Sequence, residues 1–322
     1  MDSLNPRRFD SSRAVLEEAA FYPPARITQL FTLKQLLAEG KVQPEMALLL
    51  TEGVTGGLAL PTVQLVYHHV AQGNLLEKSW VAAFCSICNG GAVFSPAVDE
   101  WLLHFSVRGV YDAMILMGDE ETGSYWDHLT GECVHGPLVG KRLNRLSTLL
   151  HSTVSKALTT WPEMLVAFAP LNAEQQAEAQ EDDAWRQEVA PEWSERLSKT
   201  LALEDDRLPR LDMGLGAWTE TTRRYYPVSR LNMMENALID DFDEGRLLVY
   251  VDPESRVPDA FYTEAKSLQV RRDVIQLDTG DVLREGGLFS KEGSWKPVKR
   301  PLQLFSRWYA FAARFPNCEI YG

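Results

Sequence analysis

Two cysteines three positions apart, Cys85 and Cys88, are the residues of this sequence with the most readable chemistry. At a turn leaving an apolar strand, that spacing sets both sulfurs on one side of the backbone, within reach of a single ion. Two thiolates fill half of a tetrahedral shell, so zinc, copper(I) or iron held there needs further donors. The sequence offers His68 first, shortly before the strand that leads to Cys85, and then Cys133 and His135. The last two alternate with Val134, so an extended strand turns both toward the same face. The same residues also admit blander roles, since free cysteine is a common core residue and a histidine can be satisfied by backbone or left in solvent.

Without a metal, Cys85 and Cys88 could cycle between dithiol and disulfide. A thioredoxin-type pair opens a helix, whereas here Asn89-Gly90-Gly91-Ala92-Val93-Phe94 follows, which reads as a turn into another strand. The paired glycines also permit close approach of backbone or ligand. Neither they nor Gly56-Gly57 belong to a phosphate-cradling pattern, and the chain carries neither an HExxH motif nor a nucleophile–histidine–acid order. Arg108, Asp112, Trp126, Asp127 and His128 are further polar or aromatic candidates, and an arginine with an aspartate could orient a small anionic or polar substrate. Arg108, Asp112 and His128 are the candidates for a catalytic role, set against the ordinary fates of surface charge and core aromatic.

The elements that position these residues recur along the chain. Leu60-Pro61-Thr62-Val63-Gln64-Leu65 is echoed by Tyr226-Pro227-Val228-Ser229-Arg230-Leu231, and each is followed by an apolar strand, Trp80-Val81-Ala82-Ala83-Phe84 or Leu247-Leu248-Val249-Tyr250-Val251. A turn comes next, Cys85-Ser86-Ile87-Cys88-Asn89 in one case and Asp252-Pro253-Glu254-Ser255 in the other. Gly131 to Pro162 spans 31 positions, Gly286 to Pro316 spans 30, and ordered landmarks at near-equal spacing point to internal duplication. Alternating runs around 101–107 and 267–271 predict strands, and amphipathic stretches at 152–160 and 306–314 predict helices that stop at Trp161-Pro162 and Phe315-Pro316.

The expected class is α+β, two diverged copies of a mainly β unit with a closing helix, preceded by an N-terminal helical region. The expected boundaries are 1–50 for that helical region, 51–170 for the first repeat, 171–212 for an acidic helical connector interrupted at Pro191, and 213–322 for the second repeat. The helix starting at Leu33 should end at Gly40. In the second repeat Asp252 and Ser255 stand where the first has cysteines, and Met234 where it has His68. A repeat without ligands is expected to act as scaffold, with a small-molecule ligand at the contact between repeats.

Composition narrows the function classes. The chain has 322 residues, too many for one core to organise easily, and 45 acidic against 32 basic side chains for a net charge of −13. That balance argues against phosphate backbones and anionic lipid, so neither nucleic acid nor membrane is an expected partner. The N-terminal Met1-Asp2-Ser3-Leu4-Asn5-Pro6-Arg7-Arg8 lacks an apolar run behind its basic pair, which predicts a cytoplasmic protein without a leader. Four cysteines are too few for a disulfide scaffold at this size.

Several segments in order carry a family resemblance: Tyr67-His68, Phe84-Cys85-Ser86-Ile87-Cys88-Asn89, Thr122-Gly123-Ser124-Tyr125-Trp126, and Thr130-Gly131-Glu132 with Gly136-Pro137-Leu138-Val139-Gly140-Lys141-Arg142-Leu143. They resemble the domain-of-unknown-function family numbered 3179, clearly over about residues 50–170 and again at the closing Phe315-Pro316-Asn317-Cys318. Ser86-Ile87 replaces the family's usual Pro-Leu, Tyr67 replaces Trp, and His69 stands where an acidic residue is common. The resemblance implies His68 as the family histidine and brings no activity with it. Three readings follow: a zinc- or copper-binding protein, extending to a metalloenzyme, with Cys85, Cys88 and His68 as ligands; a thiol-dependent oxidoreductase; and a scaffold or interaction protein whose cysteines are simply buried.

Overall fold

Short apolar runs separated by glycine, asparagine and aspartate favour hairpins over long helices. In the computed structural model the chain is mostly β, with several sheets and few helices: strands take 43% and helices 18% of it, so the α part of the expected α+β class is minor. The structure describes residues 9–322 apart from 53–56, 76, 189–194, 203, 244, 254, 273 and 285, and omits the side chains of 182–188 and 196. The N-terminal basic pair, Gly56, Pro191 and Glu254 therefore lie outside the described residues. Among the described residues, no helix is long and apolar enough to cross a membrane.

Among the described residues up to 50, the helical block expected there is not seen. Those residues hold two 3₁₀ turns, Ser11–Arg13 and Glu18–Ala20, and the six-residue helix Leu33–Ala38, set among the strands Val15–Leu16, Ala25–Ile27, Leu30–Thr32 and Ala47–Thr51. The helix itself starts and stops as its residues dictate. Thr32 Oγ1 accepts the Gln35 N–H at 3.1 Å, and Gly40, at φ +66°, lets the chain reverse while the Lys41 N–H reaches Leu36 O at 2.9 Å.

The chain divides into two compact units. The first takes the chain to Phe31, then Leu49–Leu149 and Leu165–Asp205; the second takes Thr32–Leu48, Leu150–Met164 and Asp206–Gly322. In the first, an antiparallel sheet has the neighbour order Val15–Leu16, Phe105–Tyr111, Met114–Asp119, Tyr125–Asp127, Cys133–His135. Another has the order Arg145–Thr148, Gly90–Phe94, Lys78–Cys85, Val70–Leu75, Ala25–Ile27, the last pairing being parallel. Trp80, Phe84, Leu65 and Tyr67 pack in its core. Buried Gln72 ties the two sheets, donating to Leu103 O at 2.7 Å and accepting the Phe105 N–H at 3.1 Å. Such a pair of bonds is what makes a buried amide tolerable.

The second unit contains a sheet of Leu302–Arg307, Met213–Trp218, Arg223–Pro227 and Glu319–Ile320, a three-stranded sheet of Ala237–Phe242, Gly245–Val251 and Pro258–Tyr262, and a five-stranded meander from Leu268–Arg271 to Trp295–Lys296. The acidic stretch after Asn172 forms the helix Ala173–Glu188, with Glu195–Ser198 as a further short helix.

Candidate metal centre

Strand Lys78–Cys85 is antiparallel to Gly90–Phe94, with Cys85 opposite Gly90, so the Cys-x-x-Cys segment is the turn of a hairpin. The turn closes through Asn89, whose φ of +60° asparagine tolerates better than most residues. Gly91 is required for another reason: a Cβ there would lie 2.4 Å from Ala83 O and 2.6 Å from Leu149 Cδ1. The close approach foreseen at the paired glycines is thus one of backbone on backbone. Cys85 and Cys88 are both buried, while Ser86, Ile87 and Asn89 between and beside them are partly exposed.

A second segment completes the site. After strand Tyr125–Asp127, the Asp127 carboxylate accepts the N–H groups of Leu129 and Thr130 at 2.9 and 2.8 Å, a local turn that holds His128 between fixed neighbours. Gly131, at φ +71°, lies against Phe94, where a Cβ would come within 2.7 Å of the ring. Arg145 donates to Leu129 O and stacks 5.5 Å from the Phe94 ring centroid, which clasps the same loop from the neighbouring strand. Burial, partly offset by Asp127, lowers the Arg145 pKa to about 10. The loop bearing His128 is therefore pinned onto the strand that starts just beyond Cys88.

The surrounding motifs serve this positioning. Asp119, fully buried, accepts from the Thr122 N–H at 2.6 Å, the Thr122 hydroxyl at 3.0 Å and the Trp126 indole N–H at 2.8 Å. Ser124 Oγ accepts the Leu138 N–H at 3.1 Å, and Gly136 sits so close to Ser124 that a Cβ would meet its Cα at 2.7 Å. The Thr-Gly-Ser-x-Trp and Gly-Pro-Leu segments are thus parts of one hydrogen-bonded frame under the strand that leads to His128.

Cys85, Cys88 and His128 present two sulfurs and one imidazole nitrogen, all within 4.8 Å of one another, and all three residues are fully buried. Cys88 Sγ lies 3.7 Å from His128 Nε2, and 3.6 and 4.0 Å from the carbonyl oxygens of Cys85 and Gly90. Donors sharing a tetrahedral ion at about 2.3 Å for sulfur and about 2.0 Å for nitrogen stand roughly 3.5–3.8 Å apart, so the Cys88–His128 separation suits joint coordination. Burial opposes the Cys85 thiolate, but the Cys88 side chain and the N–H groups of Cys88, Ile115 and Ile87 outweigh it and bring the thiol down to about 7. A thiol in that range deprotonates readily for an incoming ion.

The other candidates lie elsewhere. His68 ends the helix Thr62–His68, where its Nδ1–H donates to Pro23 O at 2.6 Å and its ring meets Tyr67 edge-on. Burial holds its pKa below the ordinary value, against the opposing effect of that carbonyl. Cys133 and His135 do not face the same way. Cys133 pairs with Trp126 and His135 with Tyr125, two adjacent residues, so a bulge at Val134 breaks the alternation, leaving Cys133 buried and His135 exposed. Cys133 donates to His135 O at 3.3 Å, and burial, with Asp119 and Glu132 nearby, pushes its thiol up to about 11 against the lowering effect of His135 and Ser124. Arg108 pairs with Glu18. Asp112, buried, pairs with Arg13 at 2.8 Å and accepts the Ala202 N–H at 3.1 Å, fastening two chain segments. Of the three catalytic candidates, His128 alone joins the cysteines.

The family model described as "Protein of unknown function (DUF3179)" matches residues 38–318, nearly the whole chain, and the protein belongs to this family. The match runs through both units, well beyond the segment around the cysteines. No curated protein and no solved structure matches the chain.

Proposed function

We propose that this protein binds a metal ion, zinc or copper, through Cys85, Cys88 and His128. The observation that carries the reading is the convergence of three soft or borderline donors from two separately built loops into one buried cluster. The 3.7 Å between Cys88 Sγ and His128 Nε2, which is also a hydrogen-bonding distance for a thiol and an imidazole, supports the reading because it matches the spacing of two donors on one ion. The test is metal analysis of untagged protein beside Cys85→Ser/Cys88→Ser and His128→Ala variants. The wild type should retain one ion per chain, the double variant none, and His128→Ala markedly less; equal contents in all three would end the reading.

A redox role for the same pair is the second reading, favoured by the Cys85 thiol at about 7. In it a Cys85–Cys88 disulfide forms as two protons and two electrons pass to an acceptor disulfide. Against it, the cysteines sit between two strands instead of at a helix N-terminus, the usual setting of a thioredoxin-type pair. Thiol counting across graded glutathione buffers separates the readings, because a cycling pair disappears as free thiol within physiological potentials.

We also propose that residues 51–170 and 213–322 are diverged copies, joined by the connector 171–212. Supporting this, Leu58–Pro61 runs into helix Thr62–His68 as Arg223–Pro227 runs into Val228–Met233. Phe84 N–H bonds His69 O at 2.8 Å as Val251 N–H bonds Asn236 O at 2.8 Å, with His69 and Asn236 both at positive φ. After the helices Val154–Thr160 and Trp308–Arg314, strand Leu165–Ala167 pairs in parallel with Leu58–Pro61, and Glu319–Ile320 pairs in parallel with Arg223–Pro227.

A further inference from the structure

The cluster offers three protein donors, and its donor count limits what a bound ion can be doing. Among the described residues, the set of histidine, cysteine and carboxylate side chains that can share one ion is Cys85, Cys88 and His128, without a fourth member. Cys133, His68 and His135 are not members of this set: Cys133 Sγ faces His135 O, His68 Nδ1 faces Pro23 O, and His135 stacks with the rings of Phe9 and Tyr125. Closed structural zinc sites use four protein ligands, whereas three leave a coordination position for water or substrate.

Charge points the same way. Two thiolates and a neutral imidazole exactly offset a divalent cation, so the loaded cluster carries no net charge. A fourth anionic side chain would leave a buried negative charge, which a low-dielectric site opposes. The geometry also restricts how a fourth ligand arrives. The Gly91 side is filled by Ala83 and Leu149, while the tip of the turn, Ser86 and Ile87, is partly exposed.

Resting on the metal-binding reading above, we propose that a divalent ion held by Cys85, Cys88 and His128 keeps one coordination position for an exchangeable small donor, a water or a compact monodentate nitrogen or oxygen ligand, reached over the Ser86-Ile87 edge of the turn. Such an ion acts as a Lewis acid on what binds it, so the site is built for ligand capture or activation.

Cobalt(II) substitution of the full-length protein tests this, with sodium azide as the probe. One equivalent of cobalt should give sulfur-to-cobalt charge-transfer absorption and strong visible bands of four-coordinate cobalt. Azide should then shift the visible bands in a saturable titration, leaving the charge-transfer bands in place, and Cys133→Ser should reproduce both spectra. Visible bands unmoved by azide in protein that holds cobalt, or charge-transfer absorption diminished in Cys133→Ser, would show the position closed and overturn the proposal while metal binding stands. Absence of cobalt–thiolate absorption altogether would instead overturn the metal-binding reading on which it rests.

Discussion

The turn that follows strand Lys78–Cys85 and the turn that follows Gly245–Val251 each join two antiparallel strands and are held together by different chemistry. In the second, the Asp252 carboxylate accepts the Ser255 N–H and hydroxyl, both at 2.8 Å, and its other oxygen faces Lys156 Nζ at 3.4 Å. Lys156 and Asp252 expose only 7% and 5% of their side chains, so this is a buried ion pair supplied wholly by the chain. In the first, two sulfurs and an imidazole gather within 4.8 Å of one another. The second turn thus has a resident cation, and the first, on the metal-binding reading proposed above, would take one from solution. A carboxylate and an ammonium neutralise each other, whereas two thiolates beside a neutral imidazole would be balanced by a divalent ion.

That contrast can be broken most directly at Lys156. Lys156→Met leaves Asp252 buried without its cation and should lower stability by about 3–5 kcal/mol, the usual cost of breaking a buried pair from one side. Urea unfolding measures it, and Lys156→Met/Asp252→Leu should recover much of the loss. A single-variant cost no larger than that of a surface substitution would mean the turn does not depend on its cation.

Acid tests the second unit further. Asp259 is bound by Arg300 at 3.0 and 3.1 Å and by Gln303 at 2.9 Å. Burial opposes its charge, but Arg300, with Lys156 and Gln303, outweighs that and holds the carboxyl well below the usual carboxylate range. With the folded pKa depressed, the unfolded chain takes up the proton first as pH falls. The contribution is therefore complete above about pH 5 and is lost progressively below about pH 4. Thermal melts from pH 6 to pH 3 should show this loss, and Arg300→Met should flatten it.

The first unit should respond to metal instead. Zinc at a hundredfold excess over its Kd should stabilise the wild type by about 2.7 kcal/mol, an increment removed by a chelator and missing from Cys85→Ser/Cys88→Ser. A smaller effect is expected from the frame beneath His128. Trp126→Phe removes one of the three bonds to Asp119 and should cost about 1–2 kcal/mol, with weaker zinc retention because the strand leading to His128 loses its anchor. Unchanged zinc retention in a destabilised Trp126→Phe would confine that frame to folding.

What the sequence by itself determined is local. The strand–turn–strand around Cys85 and Cys88 follows from an apolar run ending in Asn-Gly-Gly, and the helix Leu33–Ala38 from Thr32 and Gly40, because hydrogen bonds between near neighbours decide both. Only the tertiary structure put His128 beside the two cysteines. His68 and His128 are both histidines in segments that resemble the family, and nothing in their spacing says which returns to the cysteines. A signal for His128 existed in Asp127-His128 followed by Thr130-Gly131, a tight loop able to present an imidazole, but its target lies in another sheet. The bulge at Val134 was equally hidden, since one extra residue in a strand reverses every side chain beyond it and depends on the partner strand's register. Contacts between distant segments are set by how whole sheets pack, and that is where the choice of histidine was made.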